Sequence, residues 1–563
     1  MTSTEASSRS EPIQSDSDSP SLDKPEDEAP PSFNPGTRFY LAWSSLMIIV
    51  LMAALDATSL SVALSKIARE LRGSAIEAFW AGTSFLLTGT VFQPVIGSLS
   101  GIFGRKPLLQ ASLVFFLAGA IVAALAGRAT HGMAVMLVGR SIQGIGGGGV
   151  IVLAEILPTD LVPLRLRGNY LASIGAMWAL GSVGGPLIGG AFAAGDGSNW
   201  PWIFWINLPF IAIGGGLMIA FLQLNNLPGS LAAKLRRVDY MGMVLFIGST
   251  TGLLIPLTWG GVMYSWSSWR TLVPLLVSAA GLVAFVVWEE RFAVEPLIPF
   301  RITKSWTAAA TYITTFLHGM VLWCLLYYGP LYFEAVKGYS PLISGIALFP
   351  STFTVAPASV VVGILVTKTG KYRWSLYIGW TLATLGFGLQ YLMTHTIPTV
   401  GWVFFLIITG LGTGLLFPGL AFSVQAGAAE EDAASAVALF TFMRTFGQAI
   451  GVAVGGVVFQ NAIRKQIASR PLIAMNAAQW AADSSALVQT IHGMPEGQIK
   501  MDLIESYADA LKVVWAVCCG FAGLALLLTF LIKEFSLDRQ LGSKEQFVDS
   551  RRTSSEEAGA EKA

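Results

Sequence analysis

Apolar runs of 17 to 26 residues recur along most of the chain, broken by short polar stretches, and each is long enough for a helix to cross a bilayer. They lie near 39–64, 77–99, 107–127, 132–156, 168–193, 201–222, 239–259 and 271–289. Six more follow near 306–330, 341–366, 374–393, 399–423, 434–459 and 511–533. The pattern predicts an all-α membrane protein with 14 transmembrane helices.

Glycine spacing shows how these spans are organised. Gly181, Gly185 and Gly189 recur every four residues and form one smooth stripe on a helix, while Pro186 removes a backbone donor and bends it. A shift of 266 residues carries the run Gly181 to Gly190 onto the glycines at 447, 451, 455 and 456. The same shift carries Gly97 and Gly104 onto Gly363 and Gly370, Arg105 onto Lys371, and Gly144, Gly146 and Gly148 onto Gly410, Gly412 and Gly414. Three patterns sharing one shift argue for two homologous halves made by internal duplication. The halves are expected at 39–222 and 306–533. The pair of spans at 239–289 has no counterpart under the shift and reads as an insertion between them, peripheral to the chemistry.

Composition agrees: 53% of residues are hydrophobic, only 12% are charged, and mean hydropathy is +0.62, far too apolar for a soluble protein. The three cysteines, Cys324, Cys518 and Cys519, all fall in apolar spans and imply no disulfide framework. Residues 1–38 are rich in Ser, Pro, Asp and Glu and read as a disordered cytosolic tail without a cleavable leader, with a second cytosolic tail at 534–563. Short loops on the terminal side hold thirteen Lys or Arg and those on the other side six, which places both termini in the cytoplasm. The loop with Glu430, Glu431 and Asp432 breaks that pattern, and 460–510 is expected to be a long outer loop.

Charges inside the membrane carry the chemistry, because each costs about 2.5–3.5 kcal/mol at a helix centre on insertion scales. Asp56, Arg140 and Arg444 sit well inside their spans, whereas Glu155, Glu289 and Glu290 fall near span ends. At about 1.5 Å of rise per residue, Asp56 and Arg140 reach similar depth on opposed helices, so acid and base can pair. Gln143, three residues beyond Arg140, shares its helix face and extends the polar set. None of the three charges recurs at the shifted position, so the duplicated scaffold does not itself require them. Aromatic cavity candidates are Trp323, Tyr327, Phe442 and Phe446, beside Arg444. No Gly-rich loop ending in Gly-Lys-Ser/Thr exists, the four histidines lack metal-ligand spacing, and no Gly-x-Ser-x-Gly elbow occurs. ATP, metal and enzyme readings are therefore disfavoured, and no nucleic-acid partner is expected.

Four motifs in order carry a family resemblance over roughly residues 38–535. Leu55-Asp56-Ala-Thr-Ser-Leu-Ser-Val-Ala-Leu64, Leu137-Val-Gly-Arg140-Ser-Ile-Gln143-Gly144, Gly181 to Gly190, and Gly97-Ser-Leu-Ser-Gly101-Ile-Phe-Gly104-Arg105-Lys106 resemble the major facilitator superfamily. The likeness is to its fourteen-helix drug:proton antiporter branch, especially fungal toxin and multidrug efflux pumps. Trp200-Pro-Trp202-Ile-Phe-Trp-Ile-Asn207-Leu-Pro209 is similar to the sixth-helix entry of that branch, with Pro201 where an Arg is usual. Gly101 and Ile102 stand where the family's loop motif has Asp and Arg, so the lock that the Asp provides must be made otherwise, from Arg105 and Lys106 with helix ends or acidic neighbours.

The resemblance implies the major facilitator fold, two six-helix halves plus two inserted helices. It also implies a proton-driven exporter of small, mostly apolar compounds, without a cofactor, acting as a monomer in the cell membrane or in a vacuolar or vesicle membrane. Asp56, Arg140 and Gln143 are the expected proton-coupling residues. Gly97, Gly104, Arg105, Lys106, Gly181, Gly185, Pro186, Gly189 and Gly190 are the expected conformational motifs. A proton-coupled importer, for instance of an iron chelate, would share the fold, and a non-transporting nutrient sensor is a third reading.

Overall fold

The computed structural model describes residues 33, 35–73, 75–193, 199–225, 227–260, 263–477, 480 and 484–538. Fourteen long helices run through the described residues: α1 Thr37–Glu70, α2 Ala75–Phe103, α3 Arg105–Ala124, α4 Gly132–Leu161, α5 Arg167–Phe192, α6 Asn207–Phe221, α7 Tyr240–Trp259, α8 Trp269–Arg291, α9 Trp306–Ala335, α10 Phe349–Thr369, α11 Arg373–Gln390, α12 Thr399–Gly427, α13 Ala433–Ala468 and α14 Gln498–Thr529. Short helices at Trp202–Trp205 and Pro341–Ala347 lead into α6 and α10. Thirteen of the fourteen lie in segments long and apolar enough to cross a membrane. The exception, α11, is the expected span at 374–393; it is shorter, and the polar ends Arg373 and Gln390 lower its apolarity. It is nonetheless packed between α12 and α14, with Gln390 Nε2 donating to Thr409 Oγ1 at 2.8 Å.

Close backbone approach at glycine sets the order of helices. In the first six helices α4 is wedged between α2 and α3: a Cβ on Gly144 or Gly148 would run into Phe85 or Gly89 of α2, and one on Gly146 into Phe116 of α3. The second set repeats this, with Gly410 and Gly414 against Ser351 and Val355 of α10, and Gly412 against Ala383 of α11. Lipid offers no hydrophobic gain for helix contact, so such small-residue faces are what lets helices gain dispersion contact.

The stripe Gly181, Gly185 and Gly189 faces α1, meeting Ala54, Thr58 and Ser59, and Thr58 Oγ1 donates to the Gly181 carbonyl at 2.9 Å. Pro186 and Gly190 look instead toward the second half: a Cβ on Gly345 would lie 4.0 Å from Pro186, and one on Gly190 would lie 3.9 Å from Leu342. The stripe itself is thus an intra-half seam. Its repeat on α13 packs on α9, but one turn later than the 266-residue shift predicts. Gly451 opposes Met320 as Gly181 opposes Ala54, and Gly455 opposes Cys324 as Gly185 opposes Thr58.

Two further differences from the apolar pattern concern polar ends. Much of the expected outer loop at 460–510 is helical, because α13 runs on to Ala468, Ser484–Gly493 forms a short helix, and α14 starts at Gln498. Arg470 ties these ends together, meeting Glu505 at 2.6 Å and Asp509 at 3.2 Å. The expected tails at 1–38 and 534–563 fall mostly outside the described residues. Within them, α1 already begins at Thr37, and residues 534–538 are docked. Glu534 Oε1 accepts from Tyr372 N at 2.9 Å, Leu537 is buried with Leu164 and Val362, and Asp538 pairs with Arg165 at 2.9 Å.

The stripe makes a checkable prediction. Gly185→Ala should destabilise the detergent-solubilised protein by about 1–3 kcal/mol, as overpacking does, because the added methyl meets Thr58 and the Ser59 backbone at 3.0 Å. Gly190→Ala, which meets only Leu342 Cδ1 at 3.9 Å, should leave the unfolding temperature unchanged. Equal melting curves for the two variants would show that the stripe is not a packing seam.

Candidate functional site

Two buried polar clusters and one cavity make up the centre of the molecule. The first cluster lies wholly within the first six helices. Arg140 on α4 reaches Asp56 on α1, Nη1 to Oδ2 at 2.6 Å, and the same Nη1 donates to Gln143 Oε1 at 2.7 Å. Gln143 Nε2 and Asn207 Nδ2 both donate to Asp56 Oδ1, at 2.8 and 2.9 Å. Arg140 Nε donates to the Ala81 carbonyl at 3.2 Å, and its guanidinium lies 4.3 Å from the Phe85 ring centroid. All four side chains are at most 2% exposed. Every hydrogen-bonding atom of the carboxylate is thereby occupied, which is what makes a buried ion pair tolerable. Asn207 was not among the predicted site residues. The signal available was its polarity at the head of the apolar run at 201–222.

The second cluster joins the halves. Arg444 on α13 forms an ion pair with Glu155 on α4, and Thr441 Oγ1 donates to the other Glu155 oxygen at 2.6 Å. Glu155 was set aside by sequence as an interfacial residue, yet it is 1% exposed. The reason is that α4 continues to Leu161 and is covered by α13, so the end of the apolar run is not the end of the buried helix. Nearby, Thr445 Oγ1 donates to Gln93 Oε1 on α2 at 2.6 Å, a further bridge between halves.

Between the halves lies a cavity of about 180 Å³. Trp323, Tyr327 and Arg444 line it, as do Gln93, His318 and Trp178. Phe442 and Phe446 do not. They stack on each other with centroids 5.4 Å apart, Phe442 packing on Phe246 of α7 at 5.2 Å and Phe446 on Phe316 of α9 at 5.8 Å, so both rings are taken up by neighbouring helices. That pair is not peripheral either, since Leu254 and Thr258 of α7 form part of the cavity wall. Asp56, Arg140 and Gln143 are not in the lining. Phe85 is, and its ring also lies against the Arg140 guanidinium, so one residue touches both the cavity and the network.

Toward the terminal face the cavity is closed by a pseudo-symmetric pair of contacts. A Cβ on Gly97 of α2 would lie 2.8 Å from Ala438 of α13, and one on Gly363 of α10 would lie 2.8 Å from the Gly168 carbonyl of α5. Arg167 Nη1 donates across the seam to Gln425 Oε1 at 2.9 Å, and Arg165 Nε donates to the Thr367 carbonyl at 2.9 Å. Gly104 has φ of 103° and Gly370 has φ of 68°, so both turns need glycine. Without the usual loop acid, Arg105 binds Asp160 at the end of α4, Nε to Oδ2 at 2.9 Å, and Ser100 Oγ at 2.6 Å. Lys106 Nζ donates to the Ile219 carbonyl at the end of α6 at 2.9 Å. Arg301 pairs with Asp432 at 2.7 Å, and that hydrogen bond raises the guanidinium pKa above its ordinary value.

Among the described residues no group of His, Cys, Asp and Glu has the arrangement of a metal site. Residues 46–452 match the Major Facilitator Superfamily. The chain is 56% identical over 517 residues to "MFS transporter L2" of Phoma sp., covering 92% of this chain and 86% of that one. It is 34% identical to "MFS-type efflux pump LUC4" of Fusarium sp., covering 97% of both chains, and 35% identical to "Efflux pump FUS6" of Gibberella fujikuroi, covering 94% and 96%. Among solved structures it resembles the human organic anion transporter MFSD10 with a TM-score of 0.56 at 15% identity, covering 89% and 100%. It resembles the proton:xylose symporter XylE with a TM-score of 0.53 at 13% identity, covering 90% and 98%. With helix order, duplicated halves and central cavity in agreement, this chain belongs to the major facilitator superfamily, whose members are membrane transporters and not enzymes.

Proposed function

We propose that the protein is a proton-coupled exporter of small, mostly apolar compounds, working by alternating access between its two halves. The observation that carries this reading is the pairing of an apolar central cavity with a fully buried Asp56–Arg140–Gln143–Asn207 network one aromatic ring away. The cavity provides a solvent for apolar cargo. The network provides a carboxylate whose protonation state matters to its neighbours. The names of the efflux-pump relatives support the outward direction of transport.

In this reading the termini lie in the cytoplasm, and the structure corresponds to the state closed on that side. Protonation of Asp56 from outside would remove the charge that holds Arg140, leaving the guanidinium to Gln143 Oε1, the Ala81 carbonyl and the Phe85 face. Phe85 also touches the cavity, so a shift of Arg140 is transmitted to the cargo site by one ring. Opening toward the cytoplasm would break Arg444–Glu155 and Thr445–Gln93 and part the Gly97–Ala438 and Gly168–Gly363 contacts. A proton moving down 100 mV and one pH unit supplies roughly 3.7 kcal/mol, enough for about a 500-fold gradient of neutral cargo. No cofactor is needed, and the protein acts as a monomer in the cell membrane.

The test is efflux of an apolar dye from reconstituted vesicles with an imposed pH gradient. Asp56→Asn should bind dye yet fail to concentrate it, while Asn keeps an oxygen for Gln143 and Asn207 and so preserves the fold. If Asp56→Asn drives the dye uphill with unchanged pH dependence, the carboxylate is not the proton site.

The wall formed by Phe85 has its own expected outcome. Phe85→Leu keeps most of the volume but removes the ring over Arg140, so vesicles without dye should show a proton leak that wild type lacks, read with a trapped pH indicator. A tight Phe85→Leu variant with wild-type coupling would mean that the ring does not separate proton and cargo routes.

A further inference from the structure

The inserted pair contains a feature that neither the cavity nor the Asp56 network uses. Asp239 caps the start of α7, its Oδ1 accepting from Gly242 N at 2.9 Å and from Trp288 Nε1 at 3.0 Å. Glu289, in the last turn of α8, is 5% exposed, and its Oε2 accepts from Ile298 N at 3.2 Å. The remaining oxygen of each carboxyl, Asp239 Oδ2 and Glu289 Oε1, is buried without a hydrogen-bond partner. These two oxygens face each other over Gly242. Glu289 Oε1 lies 2.6 Å from the point where a Cβ on Gly242 would sit, and Asp239 Oδ2 is closer still.

Two acceptors cannot bond to each other, and two ionised carboxylates so placed repel in a site that water does not reach. A single proton resolves both problems, since one carboxyl then donates to the other. The surrounding charges do not supply an alternative. Arg237 is held by Glu295 at 2.6 Å, Arg301 by Asp432 at 2.7 Å, and Arg444 by Glu155. Arg236, Glu290 and Arg291 are exposed, and Glu77, the one charged residue of α2, lies at that helix's opposite end.

We propose that Asp239 and Glu289 hold one proton between Oδ2 and Oε1, forming a protonation site in the inserted pair that is separate from Asp56. The site clasps the first turn of α7 to the last turn of α8 and, through Ile298 N, to the connection into the second half. The other end of α7 lines the cavity with Leu254 and Thr258, and its Phe246 packs on Phe442, two residues before Arg444. Loss of the proton therefore loosens a cavity-wall helix at its base. The inference does not depend on what the cavity carries or on how transport is driven.

Infrared difference spectra of the full-length protein in lipid nanodiscs, taken between neutral and alkaline pH, read this directly. Wild type should show the carbonyl stretch of a protonated carboxylic acid that is lost on alkalinisation, together with a fall in thermal stability. Glu289→Gln should lack that band and keep its stability at alkaline pH, because the amide donates permanently to Asp239; Asp239→Asn should lack the band as well. Glu290→Gln, at the exposed neighbouring position, should retain it. The proposal is overturned if wild type has no such band, or if the band survives in both Glu289→Gln and Asp239→Asn. It is also overturned if sodium, magnesium or calcium added to metal-free wild type raises the melting temperature and the same additions leave Glu289→Gln unmoved, since a metal cation would then occupy the gap.

Discussion

A helix surrounded by lipid gains little by hiding an apolar side chain against another helix, because lipid tails are as apolar as leucine. What remains is close contact, and close contact requires that backbones be allowed to touch. The glycines of α4 and α12 set this condition for everything else. Gly144 and Gly148 let α4 sink against α2, and Gly146 lets it sink against α3. That position carries Arg140 and Gln143, at the preceding turn of α4, to Asp56. It also brings Phe85, the α2 residue that Gly144 touches, over the guanidinium. The polar network is thus a product of glycine packing and could not form between helices held apart by larger side chains.

The two central ion pairs differ in what a rocking motion does to them. Asp56–Arg140 lies within one half, so a rigid-body movement between halves leaves it intact. Glu155–Arg444 spans the seam and must separate whenever the terminal face opens. Parting a buried pair costs about 3–5 kcal/mol when one partner is left dry. Here the cost is reduced because Arg444 already lines the cavity and lies 4.7 Å from the Phe417 ring centroid, so it is handed to water and an aromatic face. One pair is therefore indifferent to the arrangement of the halves and the other depends on it.

The fold was legible in the sequence because its two signals are long-range and redundant: apolar runs of bilayer length, and glycine patterns that repeat. The Asp56–Arg140–Gln143 contact was legible from depth and helix face. Asn207 was visible only as part of the sixth-helix motif, because an amide at the head of an apolar run does not reveal which buried carboxylate it meets. Glu155 was hidden because hydropathy locates the edge of a run and not the neighbour that covers it. Phe442 and Phe446 went to the wrong side although α13 carries a polar stripe, Thr441, Arg444, Thr445 and Gln448 at helical spacing, and it is this stripe that supplies Arg444, Thr445 and Gln448 to the cavity while the two phenylalanines fall beside it. Sequence marked Glu289 only as an acid near a span end and position 239 only as the start of a span, and only the chain beyond α8, folding back through Ile298, shows that the two acids are enclosed.

The one-turn slip in the duplicated stripe locates a difference between the halves. Gly144 and Gly410 still obey the 266-residue shift, each touching the equivalent helix at an equivalent residue. Gly168 and Ala438, partners of Gly363 and Gly97 across the seam, are four residues further apart than that. The extra residues must lie between Gly414 and Ala438, and this interval holds the turn Glu430–Asp432 and the first turn of α13. That turn is the acidic loop that broke the charge pattern of the terminal side. Asp432 and Glu431 use it to hold Arg301, just before α9, so the first and fifth helices of the second half are tied at their bases by ions. The first half ties the equivalent pair differently, with Phe39 and Trp43 of α1 packed edge-on against Tyr170 of α5 at 5.7 and 4.8 Å. Duplication has kept the close-packed interior, where a shift of one residue would bring side chains into backbone, and has let the helix bases diverge, where either an aromatic clasp or an ionic one closes the same gap.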